Sequence, residues 1–385
     1  MLRGLGIRNF KAMVSVGDPD PIRFEPITML AGPNGAGKST LLQAIDLLGW
    51  VVTSGIQGFL EAHGWEYADL PHLRSATSKF GVSAHLVLNG VEVAWNLTLG
   101  ARRYPGIVHE TVSAQGRVVM ERRGRDMWRL DEDTGDKETV RQTLTSSWLS
   151  AVDREDAHRF PTLLSLAEWA RGIRGYFFLD PVKLRTPNRG AADEIGIHGE
   201  FLAPFLARLR KSDRDAFKRL TDRVRAHYPR LVELHPVKSE FGWTHLEVTE
   251  RWNGETARFN ARQVSDGLLR LIAVAAMHEL PVVPSLLLLD EIENGLHPRL
   301  LAGFLQMLRE FVGERKGRLQ VIATTHSPIT LNYCETPREV LLVMRGSGGA
   351  VEIMSLEKAK NFPKLSAYFD LGELWYNVGE EKLRT

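Results

Sequence analysis

The chain has a single cysteine, Cys334, in 385 residues. One thiol cannot close an internal disulfide, which excludes disulfide-stapled scaffolds and fits a reducing cytosol. A bulk charge of one sign is missing too. The 49 Lys and Arg nearly cancel 47 Asp and Glu, leaving +2, too little to argue for a nucleic-acid partner by itself. No stretch reads as a membrane span. The best, 268–289, is broken by Arg270, His278, Glu279, Pro281 and Pro284. The first eleven residues lack the apolar core of a secretory signal. No internal repeat or low-complexity tract occurs, and no heptad pattern lasts long enough for a long coiled coil. The expectation is a soluble cytoplasmic protein with no membrane partner. Its length leaves room for two or three domain-sized pieces.

What is present begins at residues 32–40. Gly32, Pro33, Asn34, Gly35, Ala36, Gly37, Lys38, Ser39 and Thr40 form a complete Walker A phosphate loop. The apolar run 27–31 before it and the helical run 41–45 after it give the strand, loop, helix order that the motif needs. Glycines let successive N–H groups turn inward around phosphate oxygens. The positive end of the following helix points at the same anion. Lys38 can reach the β- and γ-phosphates, and the Ser39 hydroxyl can ligate Mg²⁺. The chain is therefore expected to bind a nucleoside triphosphate with Mg²⁺.

The rest of the chain reads as α/β. The first 30 residues suggest short strands, and a helix follows the loop to about residue 50. Residues 85–93 suggest a hairpin with an Asn-Gly turn. Residues 51–75 stay ambiguous. A helical region covers about 199–228, with a start at Ser212 and Asp215 and an end at Pro229. Strands are expected at 231–235 and 245–251. The last third is clearer: a helix over 264–278, buried strands at 286–289 and 319–324 with a helix from Pro298 between them, then a hairpin around 346–349. Three pieces follow: 1–100 and 261–385 as the two parts of one ATPase head, and 101–260 as an inserted α+β region.

The strand 286–289 ends in Asp290-Glu291, a Walker B pattern. Ligands bind at that edge of a parallel sheet. Asp290 is placed at Mg²⁺, and Glu291 at the attacking water, which it would orient and polarise. His326 in Thr-His-Ser-Pro follows the next strand, 36 residues beyond Asp290 (326 − 290). One helix and one strand fit that gap, so His326 lies one strand over, facing the γ-phosphate. Catalytic roles thus fall to Lys38, Glu291 and His326. Ser265 in Ser265-Asp266-Gly267 is a plausible N-cap for the helix it opens.

Together, the Walker A loop, Ser-Asp-Gly at a helix start, Asp-Glu-Ile-Glu-Asn-Gly-Leu-His-Pro and Thr-His-Ser-Pro resemble the ABC-type ATPases. More narrowly, they are similar to the RecF, SMC and OLD branch and to stand-alone AAA-family ATPases. Ile7-Arg8-Asn9-Phe10-Lys11 before the loop fits the same group. The resemblance implies a P-loop NTPase, an ABC-ATPase-type head with a mixed β-sheet. It implies that Ser265, Asp266 and Gly267 are a signature motif binding the γ-phosphate held by a second subunit. It places 294–298 as a D-loop along the dimer seam, brings Arg8 and Asn9 near the nucleotide, and calls for a Q-loop glutamine at the metal, where Gln57 is the one in the right stretch. The signature departs from the transporter form Ser-Gly-Gly-Gln, with Leu268 in place of the glutamine.

One loop and one signature per chain imply a homodimer, or a higher even oligomer, closed around ATP. Arg208, Arg210, Lys211, Arg214, Lys218, Arg219, Arg223 and Arg225 are a possible DNA or RNA surface. A solvated helix face reads the same. The resemblance suggests an ATP-gated switch in DNA-related work: anti-phage defence with an effector nuclease on a separate chain, or RecF/SMC-like repair. A transporter subunit fits poorly, since Lys38 and Asp290 lie 252 residues apart (290 − 38).

Overall fold

The computed structural model describes residues 1–101, 105–176, 179–346, 348–360 and 362–384. At its centre is a six-stranded sheet. Its order is Ile173–Tyr176, Leu286–Leu289, Gln320–Thr325, Ile27–Ala31, Val340–Arg345 and Val351–Ser355. The first five strands run parallel, and the sixth closes the edge as an antiparallel hairpin. Successive side chains point to opposite faces, and here each face has its own core. Leu286, Leu288 and Ile322 belong to one apolar cluster, with the Walker A helix and the N-terminal sheet. Leu287, Leu289, Val321 and Ala323 belong to another, with the C-terminal helices. A sheet covered on both faces needs continuous apolar strands, which is why these runs do not alternate. At the start of the leucine run, Ser285 donates its hydroxyl to the Trp169 carbonyl at 2.5 Å, and its N–H to the Gly172 carbonyl at 2.9 Å.

A second, antiparallel sheet packs over the Walker A helix, Lys38–Thr53. It contains Leu2–Phe10 and the meander Phe80–Leu88, Val91–Ala101, Pro105–Ala114, Arg117–Arg123, Asp126–Leu130 and Lys137–Arg141. The expected Asn-Gly hairpin is there, with Asn89 at φ 50° and Gly90 at φ 82°, the left-handed pair a tight hairpin turn needs. The piece boundary at 100/101 is corrected. It cuts the strand Val91–Ala101, which pairs with the strand after it from Val93 to Ala101. The strand Ile173–Tyr176, placed in the insertion by sequence, is an outer strand of the central sheet. Between that strand and the Walker B strand lie a helix pair and a small sheet.

That pair is Leu202–Ser212 and Arg214–His227. Asp213, not Ser212, is the N-cap of the second helix, accepting from the Ala216 N–H at 2.9 Å. The first helix runs through Ser212, so the carboxylate one residue later is the first group free to cap. Against the pair lies an antiparallel sheet of Asn188–Arg189, Leu231–Lys238, Trp243–Trp252 and Glu255–Asn260. The basic stripe is largely neutralised in place. Arg208 pairs with Asp193, Arg210 with Glu233, Arg219 with Glu279, Arg223 with Glu279 and Glu314, and Arg225 with Asp222. Except for Asp222, these acids come from other elements. Lys211, Arg214 and Lys218 remain exposed, so the surface is far less cationic than the local sequence suggests.

Candidate functional site

The carboxyl ends of three neighbouring parallel strands converge. Thr325 is in register with Ala31, and Leu289 with Ala323. His326 therefore emerges beside Gly32, the first residue of the phosphate loop, and Asp290 beside Thr324. Gly32 must be glycine for lack of space, since a Cβ there would lie 2.1 Å from the Val343 carbonyl oxygen. Gly37 caps the following helix at φ 111°, a conformation that costs other residues dearly. Lys38 opens that helix and is buried, 7% exposed. Its ammonium donates to the carbonyls of Gly32 at 2.7 Å and Pro33 at 3.0 Å, directly under the loop.

The Asp290 carboxylate is tied to this loop by a hydroxyl. Ser39 donates to Asp290 Oδ1 at 3.0 Å, and Thr324 donates to the same oxygen at 2.5 Å. The Thr324 hydroxyl also accepts the Glu291 N–H at 2.7 Å, so one threonine orients both acidic residues. Glu291 sits at φ 49°, a left-handed position uncommon for a residue with a side chain and worth reading as functional. Asn294 Nδ2 donates to Glu291 Oε2 at 3.3 Å. The oxygen-rich pair of Ser39 and Asp290 suits a hard divalent cation such as Mg²⁺. His326 Nδ1 lies 3.0 Å from Glu293 Oε1, which also accepts the His326 N–H at 2.6 Å.

The Ser-Asp-Gly corner is built differently. Ser265 is exposed and caps the helix Asp266–Met277, accepting from the Leu268 N–H at 3.3 Å. Asp266 is held by Arg185, whose guanidinium also donates to the carbonyls of Ala261 and Val264. A Cβ on Gly267 would meet Leu300 at 2.7 Å. None of these partners belongs to the phosphate loop. Arg270, 3% exposed, joins this helix to the loop 294–298 by donating to the Asn294 carbonyl. Burial lowers its pKa, opposed by Asp266, Glu291, Asp180 and Glu293 around it.

Several residues expected at the nucleotide have other engagements. The Arg8 guanidinium pairs with Asp18 and is 70% exposed. The Asn9 amide donates to the Thr77 and Lys79 carbonyls, pinning the loop beside it. Gln57 is corrected outright. It lies on the helix Gly55–His63, past the far end of the Walker A helix, and donates to Glu61 at 2.9 Å. The Walker A helix is sixteen residues long, about 24 Å at 1.5 Å per residue, and Ser39 and Gln57 lie towards its opposite ends. The strand that flanks the Walker B strand on its outer side leads instead to Asp180.

Sequence reasoning also missed Lys11 and Arg345. Together with Asn9, Asp69, Leu73 and Arg74 they line a cavity of about 880 Å³. Arg345 donates to the Gly35 carbonyl at 3.1 Å, so the cavity adjoins the phosphate loop. The Lys11 ammonium lies 2.9 Å from the centre of the Trp65 ring and donates to Gln43, on the Walker A helix, at 3.0 Å. Desolvation lowers its pKa to about 8, with Asp69 opposing. The signal for Lys11 was available, since it closes the same run that carries Arg8 and Asn9. Nothing in the sequence ties Arg345 to the loop.

The family model described as "AAA domain, putative AbiEii toxin, Type IV TA system" matches residues 27–332, from the Walker A strand past His326. The chain belongs to this AAA-domain family. A curated relative, the OLD nuclease of Thermus scotoductus, is 44% identical over 48 residues. That match spans 12% of this chain and only 8% of the nuclease. Two solved structures share the fold. An Smc head bound to the C-terminal winged-helix domain of ScpA gives a TM-score of 0.54 at 16% identity, covering 93% of this chain and 98% of that one. The Smc head with an extended coiled coil, bound to the C-terminal domain of ScpA from Pyrococcus furiosus, gives 0.54 at 13% identity, covering 95% and 99%. The family member described here therefore has the mixed α/β fold of an Smc head. No helix among its described residues is long and apolar enough to cross a membrane.

Proposed function

We propose that this protein binds Mg-ATP at the sheet edge, hydrolyses it, and works as a head-to-tail homodimer. One observation carries the hydrolysis: Ser39, Asp290, Thr324 and Glu291 form a connected hydrogen-bonded set at the mouth of the phosphate loop. Lys38 and the loop amides hold the β- and γ-phosphates. Glu291 orients water, and His326 faces the γ-phosphate end of the site, where the attacking water sits, from the next strand. Mg²⁺, held through Ser39 and Asp290, supplies neutralisation of phosphate charge. The adenosine part occupies the cavity lined by Lys11, Asn9 and Arg345.

The dimer reading rests on the Ser265 corner. An exposed serine on a helix N-terminus is an anion site, and its hydrogen bonds run to its own scaffold. Such a corner fits the γ-phosphate of a second copy. The larger role is a switch in bacterial defence that acts through an effector nuclease on another chain. The family description names a toxin, and a relative is named a nuclease.

The test is solution mass with and without Mg-ATP on Glu291→Gln. The expected result is an ATP-dependent shift to an even oligomer that disappears on adding Ser265→Arg. A mass indifferent to ATP, with no single-turnover hydrolysis by the wild type, would sink the reading.

A further inference from the structure

The carboxylate nearest His326 is not Glu291 but Glu293, two residues on. The side chain of Glu293 is 8% exposed, while the His326 ring is 44% exposed. Its Oε1 receives two contacts, both from His326: the backbone N–H at 2.6 Å and ring Nδ1 at 3.0 Å. Its Oε2 is buried with no hydrogen-bond partner among the described residues. A buried carboxylate with one oxygen unpaired is a poor device for stability. Its only described hydrogen-bonding partner is the residue placed at the γ-phosphate.

We infer that Glu293 is a positioning residue for His326. An ionised carboxylate can only accept, so ring nitrogen Nδ1 must carry the hydrogen that faces it. In the neutral imidazole the other nitrogen, Nε2, is then left as a bare acceptor. The tautomer of a histidine is set by what its second nitrogen meets. An Nε2 lone pair suits a hydrogen-bond donor, and the donor present at the reacting end of this site is the attacking water. Glu293 thus makes His326 an acceptor toward water, beside Glu291. The second bond, from the His326 backbone, fixes where the strand end places the ring. Both contacts converge on one oxygen, so backbone and ring are held by the same atom.

This inference rests on the proposed ATPase activity for its consequence, but not for its first observable. The experiment uses the full chain, labelled with ¹⁵N-histidine, at about pH 8.5, above the ordinary imidazole range. The His326 signals are assigned by their loss in His326→Ala. The wild type is expected to show the Nδ1–H tautomer, and Glu293→Ala to shift it toward Nε2–H. Single-turnover hydrolysis of Mg-ATP by Glu293→Ala should fall about ten- to a hundredfold, the loss typical when a carboxylate that orients a histidine is removed. Mg-ATP affinity should stay within about twofold. Glu293→Gln keeps an amide oxygen that can accept both N–H groups, so it should restore the tautomer and most of the rate. An Nε2–H tautomer in the wild type would overturn the inference. So would a rate loss in Glu293→Ala with the tautomer unchanged. A wild type that does not hydrolyse ATP defeats the proposed function instead, and the tautomer measurement still decides the role of Glu293.

Discussion

The two polar corners of this molecule are wired in opposite ways. At the phosphate loop, the functional side chains bond to one another: Ser39 and Thr324 to Asp290, Asn294 to Glu291. At the Ser265 corner they bond to their own scaffold: Ser265 to its helix, Asp266 to Arg185. The first arrangement gathers polar side chains into one connected set at the sheet edge. The second presents a preformed surface outward. Mutations should therefore act differently in the two places. Damage at the loop should slow chemistry, and damage at the corner should show first in the association of two copies.

The sharpest way to test that contrast is Lys38→Ala, expected to lower ATP turnover by about 10²-fold or more, as removal of one preorganised charge-stabilising donor does. Steady-state phosphate release measures it. Thr324→Val comes next. It removes the hydroxyl that serves both acidic residues while keeping shape, and should cost roughly tenfold in rate, since a buried unsatisfied acceptor costs about 1–3 kcal/mol. Nucleotide affinity measured by titration should change little. Arg185→Met would break the contrast from the other side. It frees Asp266 beside the helix N-terminus, and it should weaken ATP-dependent association several-fold while Mg-ATP binding by the single copy persists. Equal losses in both measurements would erase the distinction.

The smallest effect concerns Lys11. Its folded pKa, near 8, lies below the ordinary 10.5. Between those values the unfolded chain holds the extra proton, so folding stability rises with pH across that window and is lost as pH falls through 8. Lys11→Met keeps the packing on Trp65 and should flatten that slope in denaturant titrations run at pH 7, 8, 9 and 10.

Much of the scaffold was legible because parallel strands buried on both faces must be apolar throughout. Residues 286–289 and 319–324 could be little else, and their spacing put His326 next to the loop. Thr324 was overlooked because a threonine at a strand end is ordinary for β-structure. Its role appears only when the neighbouring strand is aligned. The edge strand Glu255–Asn260 is almost wholly exposed, and Ala257 and Phe259 give too short an alternation to read. The helices Pro161–Arg171 and Leu371–Arg384 were missed as well. Gln57 failed because one glutamine in a stretch without a fixed register is a weak anchor. The basic stripe misled for a related reason: its neutralising acids, Asp193, Glu233, Glu279 and Glu314, are distant in sequence or on other elements.

The leucine run before Asp290 has one more consequence. Four identical residues are a ruler without marks. Sliding the strand by one position would exchange leucine for leucine in both cores, so packing does little to tell one alignment from the next. What distinguishes them is polar and lies at the two ends. Ser285 is fastened to Trp169 and Gly172, and Asp290 to Thr324 and Ser39. A slip of about 3.3 Å, one residue, would break both fastenings together. The acid proposed for the metal is thus also the end-stop of its own strand.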